Sequence, residues 1–267
     1  MSTEALVPTM ALTERGVINT ASLVVRVPLM IASEGLTLIL GLISTALCGR
    51  SEASPDLRKR GVAILMIHGS GFNQSEWLPL KGYLAADQRV GPIYTVNYAG
   101  LLSGEKGARI RDYALHKIMP KIREIFSETG REQLILIGHS LGGLIAAETA
   151  EWLLRRDQVV KVVTICTPFK GVPLLNYCCV SKATDEEMQE GSTYLSALSL
   201  QIQSREARGE EIPYHHIVSR TDFLVPAERG GIAKDPSKWR VLDGIEGHWG
   251  VVLSPRVWME IKRAILK

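Results

Sequence analysis

Short apolar runs alternate along the chain with longer segments in which apolar residues recur every three or four positions. The short runs predict six β-strands, at residues 63–67, 93–97, 134–137, 159–165, 214–218 and 240–242. The segments between these runs show patterns typical of helices. Strands that alternate with helices predict an α/β fold, in which a mainly parallel sheet is covered by helices on both faces.

Two helices are well marked by their patterns. The first has apolar residues at four-residue steps and contains Pro120, which should bend it; these residues are Ile110, Ala114, Ile118, Ile122 and Phe126. The second closes the chain, with Ser254 as its expected N-cap and Pro255 in its first turn. The stretch 170–212 interrupts the alternation, although a short helix at 194–202 would place three apolar residues on one face, Leu195, Leu198 and Ile202.

The amino-terminal end is unusually apolar. Between residues 27 and 49 the only charged side chain is Glu34. A bilayer span needs ~20 residues, so this segment is long enough to cross a membrane. It could also lie on a membrane surface or pack on the following domain. We predict a helical, membrane-associating extension at 1–57 and a main domain at 58–267. If the segment spans a bilayer, the excess of basic residues after it over Arg15 and Arg26 before it would keep the main domain on the cytoplasmic side; the residues after it are Arg50, Arg58, Lys59 and Arg60.

Composition narrows the range of functions. The chain has 267 residues, of which 46% are hydrophobic and 22% charged, and this supports one sizeable core. A net charge of +3 without a basic and aromatic stripe argues against nucleic acid as a partner. Four cysteines show no metal-ligand spacing, and two of them, Cys178 and Cys179, are adjacent, so we expect thiols rather than disulfides. We expect no cofactor and no metal, and the sequence leaves the oligomeric state open.

The pentapeptide 138–142, Gly-His-Ser-Leu-Gly, follows a predicted buried strand and precedes a predicted helix. This is the form of a nucleophile elbow, in which a serine stands at the apex of a tight strand-to-helix turn. The flanking glycines would remove side chains that clash in such a turn. An ordinary turn with a capping serine is the alternative. The context favours Ser140 as the nucleophile of a hydrolase.

A serine nucleophile needs a base, and the base needs an acid that orients it. His248 is the expected base, because it lies in a glycine-bracketed loop that can swing over the sheet. His215 and His216 fall within a predicted strand, where we expect one partly buried and one exposed side chain. Asp222 is the expected acid, since it follows that strand at its carboxyl end. The competing carboxylates are those nearest to His248 in sequence, Asp243 and Glu246.

Catalysis by this scheme also needs two donors for a developing oxyanion. One should be the amide of Leu141, directly after the nucleophile. The other should come from the glycine-rich loop after the first strand, where Ser70 is the candidate and Gly71 the near alternative. We expect His68 to brace this loop. The residues expected to bind substrate are Gly71, Phe72 and Val225.

Together, these motifs resemble the α/β-hydrolase superfamily, and its lipase branch in particular. The resemblance rests on His-Gly-Ser-Gly at 68–71, Gly-His-Ser-Leu-Gly-Gly at 138–143, Thr-Asp at 221–222 with Val-Pro at 225–226, Gly-His at 247–248, and Thr-Pro-Phe-Lys-Gly at 167–171. It implies an α/β-hydrolase fold, a Ser140–Asp222–His248 triad and hydrolysis of lipid or other acyl esters.

The resemblance also suggests a role for the interrupting stretch, because in lipase-like folds an insertion there caps the active site and receives acyl chains. By this comparison, 170–212 is a cap or lid; a packed segment that never moves is the alternative. The same fold hosts thioesterases, protein deacylases and acyltransferases, so these activities stay open. A catalytically idle, membrane-tethered binding module is the remaining alternative, and an intact triad argues against it.

Overall fold

A six-stranded sheet forms the centre of the computed structural model, which describes Gly35 and residues 55–98, 107–176, 183–210, 212–232 and 235–267. All strand pairs are parallel, and the spatial order is β2-β1-β3-β4-β5-β6. The strands are β1 Ala63–Ile67, β2 Ile93–Val96, β3 Leu134–His139, β4 Val159–Ile165, β5 Tyr214–Ser219 and β6 Trp239–Leu242. All six predicted strands are confirmed to within two residues at each end, and so is the parallel sheet.

Helices alternate with the strands along the chain and cover the sheet. They are α1 Leu78–Ala85, α2 Ile110–Tyr113, α3 Met119–Thr129, α4 Leu141–Glu148, α5 Ala183–Glu187, α6 Thr193–Ala207 and α7 Pro255–Ile265. A π-helical segment, Ala114–Ile118, joins α2 to α3, and Pro120 follows it in the first turn of α3. Proline has no N–H to donate there, so the wider turn accommodates the residue that was expected to bend the helix.

Both faces of the sheet are covered, because side chains along a strand alternate between them. On one face, Ala63, Leu65 and Ile67 of β1 belong to a core formed with α2, α3, α4 and α6. On the other face, Ile64 and Met66 pack in a second core with α1 and α7. Every residue of β1, β2 and β3 is buried. The predicted α/β layers are therefore confirmed.

The inserted stretch contributes to the first core. Leu195, Leu198 and Ile202 of α6 are buried among its residues, as the periodicity predicted. Polar contacts add to this packing: the Tyr194 hydroxyl donates to Glu148 Oε2 at 3.3 Å, and Arg205 Nε lies 2.8 Å from Oε2 of the buried Glu151. These contacts attach α6 to the helical segment that follows β3. The part of the insertion that forms α6 is therefore packed against the rest of the domain.

Ser254 is the N-cap residue of α7, as predicted, although its hydroxyl donates to Glu246 Oε1 at 3.1 Å and bonds no amide of the helix. The expectation of one exposed histidine in β5 was wrong. Neither histidine of β5 is exposed, because His215 is half-buried and His216 is completely buried. A central strand covered on both faces gives no exposed position to either side chain.

The predicted amino-terminal extension, including the segment 27–49, falls outside the described residues except for Gly35. Cys48, Cys178 and Cys179 also fall outside them. Among the residues that the structure describes, no helix has the length and apolarity needed to cross a bilayer.

Candidate active site

Ser140 stands alone between the end of β3 at His139 and the start of α4 at Leu141. Its backbone has φ 52° and ψ −124°, a combination that non-glycine residues rarely adopt. The Ser140 amide donates to the carbonyl of Ile165 at 2.9 Å, and its carbonyl accepts from the Gly143 amide at 3.0 Å. These bonds hold the serine in a strained conformation at the carboxyl end of the sheet.

The glycines around Ser140 are required by close backbone approach. A Cβ on Gly138 would lie 2.4 Å from the Gly142 carbonyl oxygen, and one on Gly142 would lie 2.2 Å from that of Ile67. Both distances are far shorter than any van der Waals contact, and backbone atoms cannot move aside. The tight turn therefore depends on both glycines.

The structure brings Ser140, His248 and Asp222 together. His248 Nε2 lies 2.9 Å from Ser140 Oγ, and His248 Nδ1 lies 2.7 Å from Asp222 Oδ2. All three residues are buried, with 8%, 1% and 4% of their surfaces exposed for serine, histidine and aspartate. The order hydroxyl, imidazole, carboxylate is the one in which a histidine can accept the serine proton while an acid orients it.

The turn after β5 holds the carboxylate of Asp222. Its second oxygen, Oδ1, accepts hydrogen bonds from the amides of Leu224 at 2.9 Å and Val225 at 2.8 Å. Such bonds from an aspartate to amides a few residues ahead are typical of turns. Oδ2 is left to face His248, so the local backbone fixes the direction of the acid.

The two competing carboxylates have other partners. Asp243 is 70% exposed at its side chain and pairs with Arg220 Nε at 2.5 Å. Glu246 accepts the Ser254 hydroxyl through Oε1. Its backbone carbonyl accepts hydrogen bonds from the hydroxyls of Ser219 and Thr221, the latter at 2.9 Å. Glu246 thus ties the histidine loop to the end of β5 through its backbone.

The loop after β1 faces the elbow. The Gly69 amide donates to Glu76 Oε2 at 2.9 Å, so this amide is already engaged. Ser70 and Gly71 follow it and are exposed, and Gly71 has φ 79°. On the other side, Leu141 is the first residue of α4, where an amide has no carbonyl partner within the helix. A Cβ on Gly69 would lie 3.4 Å from Ser140 Cβ, so this loop and the start of α4 both adjoin Ser140.

The remaining predicted residues have the following surroundings. Phe72 is buried, with 6% of its surface exposed. Val225 is 1% exposed, packs in the first core and donates its amide to Asp222. It therefore contacts the acid by its backbone, and its side chain belongs to the interior. His68 donates from Nδ1 to the Gly69 carbonyl at 2.8 Å and stacks on Tyr98, with ring centroids 4.2 Å apart, as expected of a residue that braces this loop.

Sequence reasoning missed two buried residues beside the site, Glu76 and His139. Glu76 forms an ion pair with His139 Nδ1, and His139 Nε2 donates to the His248 carbonyl at 2.9 Å. His139 is the variable residue of the elbow, and Glu76 belongs to a short 3-10 helix, Gln74–Trp77. That helix has no periodic pattern, so the only signal was the presence of a carboxylate close before Trp77.

Within the ranges that the structure describes, no group of three His, Cys, Asp or Glu side chains is arranged to hold a metal ion. A cavity of about 320 Å³ opens at the other end of the strands. Val62, Ile135 and Val160, near the amino ends of β1, β3 and β4, are among the residues that line it. The polar residues around Ser140 lie at the carboxyl ends, so this cavity is separate from them.

Solved structures with a similar fold include several hydrolases. The phospholipase PlaB from Legionella pneumophila aligns with a TM-score of 0.65 at 13% identity, over 77% of this chain and 59% of PlaB. The mature lipase BlEst2 from Bacillus licheniformis aligns with a TM-score of 0.57 at 16% identity, over 80% of this chain and 96% of BlEst2. At these identities the likeness concerns the fold. The chain spans less than two thirds of PlaB.

Sequence comparison gives a shorter match and a longer one. An uncharacterized protein of Mycobacterium tuberculosis is 35% identical over 91 residues, which are 34% of this chain and 25% of that protein. Residues 64–260 match the profile of the family described as "Alpha/beta hydrolase family". This match covers most of the chain, including β2 to β6, all but the first residue of β1, and Ser140, Asp222 and His248. The chain therefore belongs to the alpha/beta hydrolase family.

Proposed function

We propose that this protein hydrolyses carboxylic esters, with Ser140 as nucleophile, His248 as general base and acid, and Asp222 as the group that orients His248. One observation supports this proposal above all: Ser140 Oγ lies 2.9 Å from His248 Nε2, and His248 Nδ1 lies 2.7 Å from Asp222 Oδ2. Ser140 itself stands at the apex of a strained turn. Contacts of this length are within the reach that proton transfer requires.

Acylation follows from this geometry. Ser140 Oγ attacks the ester carbonyl carbon while His248 Nε2 takes its proton, and a tetrahedral intermediate forms. The Asp222 carboxylate accepts the Nδ1–H of His248 and stabilises the imidazolium without taking the proton. His248 then gives the proton to the leaving alcohol as the carbon–oxygen bond breaks, and the acyl group stays on Ser140. Water attacks this ester by the same route and frees the acid.

The charge on the intermediate needs donors that are already in place. We assign this role to the amides of Leu141 and Ser70. Leu141 opens α4, so its amide has no partner within the helix, and the positive end of the helix dipole adds to its effect. The preceding amide of the other loop, that of Gly69, is engaged by Glu76, which leaves Ser70 and Gly71 to supply the second donor.

Lipids or other acyl esters are the proposed substrate class. The apolar segment 27–49 would keep the site next to a membrane surface, where such substrates are concentrated. Two proteins of similar fold, a phospholipase and a lipase, agree with this class by their names. We propose membrane association of the full chain through this segment, with the hydrolase domain on the cytoplasmic side.

Labelling with a fluorophosphonate probe tests the nucleophile. We expect covalent modification of the purified full-length chain and its complete loss in Ser140→Ala, because the probe reacts with an activated serine. Ser196→Ala, which removes an exposed hydroxyl on α6, is the matched control and should label normally. Labelling that persists in Ser140→Ala would refute the assignment.

A panel of esters graded by acyl length, with acyl-thioesters beside them, tests the substrate class. We expect long-chain esters to be preferred, and a faster reaction with thioesters under matched conditions would contradict this. Membrane binding is tested by flotation with phospholipid vesicles. Leu36→Lys/Leu40→Lys should abolish binding, whereas Ser51→Lys/Ser54→Lys, which adds the same charge outside the segment, should retain it.

A further inference from the structure

A buried pair of opposite charges joins three separate segments of the site. Glu76 lies on the short helix after β1, His139 ends β3, and His248 lies in the loop before α7. The side chains of Glu76 and His139 are each 1% exposed. The mechanism above uses neither of them, although each contacts a segment that carries a catalytic group.

Two hydrogen bonds and one ion pair engage the four polar side-chain atoms of Glu76 and His139. Glu76 Oε2 accepts the Gly69 amide at 2.9 Å, and Oε1 pairs with His139 Nδ1. His139 Nε2 faces the His248 carbonyl oxygen at 2.9 Å, and a carbonyl can only accept, so this nitrogen carries a proton. With a carboxylate at the other nitrogen, the ring is positioned to donate from both sides, as an imidazolium does.

The surroundings favour the charged forms of both side chains, the imidazolium of His139 and the carboxylate of Glu76. Burial opposes the charge on His139, yet Glu76 and the His248 carbonyl together raise the pKa of His139 above its usual value. Burial likewise opposes the charge on Glu76, but His139 holds the pKa of Glu76 below its usual value. Of the other titratable groups nearby, burial lowers the pKa of His68 and raises that of Tyr98, which keeps both neutral.

We propose that Glu76 and His139 are positioning residues for ester hydrolysis. The pair holds the His248 loop and the Gly69–Ser70 loop in fixed places relative to Ser140. This inference rests on the proposed function. The pair acts through the His248 carbonyl and the Gly69 amide, which are backbone groups beside the base and beside the proposed oxyanion donor.

Two substitutions at Glu76 separate the hydrogen bonds from the charge. Glutamine can accept the Gly69 amide and donate to a neutral His139, so Glu76→Gln keeps the connections and removes both charges. Alanine removes the connections. For Glu76→Ala we expect kcat to fall about 10²-fold with little change in KM, because small misplacements of catalytic groups cost about that much. For Glu76→Gln we expect kcat within about tenfold of the parent and an unchanged KM, because the amide keeps the connections that alanine removes.

Glu151→Gln is the matched control, since it neutralises another buried carboxylate that pairs with Arg205, away from Ser140. It should leave kcat unchanged, and a loss of kcat in this control equal to that in Glu76→Ala would overturn the proposal. So would a folded Glu76→Ala with parental kcat. If Glu76→Ala does not fold by circular dichroism, Glu76→Gln decides, and a kcat more than about tenfold below that of the parent overturns the proposal, because the glutamine keeps the connections. Failure of the proposed function is distinguishable, because the parent chain would then not be labelled at Ser140.

Discussion

His248 and Ser140 are separated by 108 residues in sequence, yet Nε2 of the histidine lies 2.9 Å from Oγ of the serine. The contact can transfer a proton only if Nε2 is unprotonated at rest. Asp222 ensures this by accepting the proton of Nδ1 at 2.7 Å. Proton transfer from Ser140 to His248 therefore depends on the hydrogen bond between His248 and Asp222.

Asp222→Asn should lower kcat by about 10⁴-fold. Asparagine can still accept the Leu224 and Val225 amides, but its NH₂ would donate to His248 Nδ1 and place the proton on Nε2. Steady-state hydrolysis of a soluble ester measures the loss. Asp243→Asn, which affects the exposed competitor, should change kcat by less than about twofold. The reverse pattern would transfer the role of acid to Asp243.

Gly143→Ala should destabilise the fold by about 1–3 kcal/mol or more, because overpacking has this cost. The added Cβ would lie 1.8 Å from Thr167 Oγ1 and 2.8 Å from Thr167 Cβ. Urea denaturation measures the change. Thr167→Gly in the same chain should restore much of the loss, as neighbouring sites couple. Gly82→Ala has open space around it within α1 and should stabilise by about 0.5–1 kcal/mol.

Leu198→Ala should cost about 2–5 kcal/mol, because this α6 side chain is 1% exposed within the first core. Leu200→Ala lies on the same helix, where the side chain is 66% exposed, and should change stability by less than about 0.5 kcal/mol. Chemical denaturation of both variants measures the difference. Equal, small effects would show that α6 is detachable from the domain.

We expect the free energy of unfolding to decrease on acidification, because His216 takes up a proton more readily in the unfolded chain than in the folded protein. Burial lowers the pKa of His216 from 6.5 to about 3 in the folded protein, whereas the unfolded chain titrates near the ordinary value. Between these values the unfolded state binds more protons, so the free energy of unfolding decreases as the pH drops below about 6.5 and continues to decrease to about 3. The expected loss at pH 4 is roughly 3 kcal/mol.

His216→Gln tests this by removing the titration while an amide remains to bond Thr164 Oγ1, which lies 2.7 Å from His216 Nδ1. We expect a flatter dependence of unfolding free energy on pH between 4 and 6.5. His116→Gln, at an exposed position, should retain the slope of the parent. A parental slope in His216→Gln would contradict the expected linkage.

Features carried by local pattern could be predicted from the sequence. The strands are buried runs of branched residues, and the elbow is a fixed spacing of glycines around Ser140, so both can be identified without tertiary information. Chain order and loop composition were enough to select His248 and Asp222 as candidates.

Contacts between distant segments could not be predicted. Glu76 lies far from His139 in sequence, and nothing near either residue indicates that they pair. Ser254 stood in the right place for a cap, but Glu246 accepts its hydroxyl, and this partner is set by how the histidine loop packs. A pattern gives the local preference of a residue, whereas the partners available in the folded chain decide which bond forms.

The backbone angle of 52° at Ser140 has a consequence for the whole domain. A non-glycine residue in such a conformation costs about 1–3 kcal/mol, which exceeds the entropy that glycine would lose on folding. Ser140→Gly should therefore raise the free energy of unfolding by about 1 kcal/mol while ending hydrolysis, whereas Ser140→Ala should end hydrolysis without that gain. Catalysis requires a serine at this position, whereas the stability of the fold would be greater with a glycine. The native residue therefore supports hydrolysis and lowers the stability of the domain.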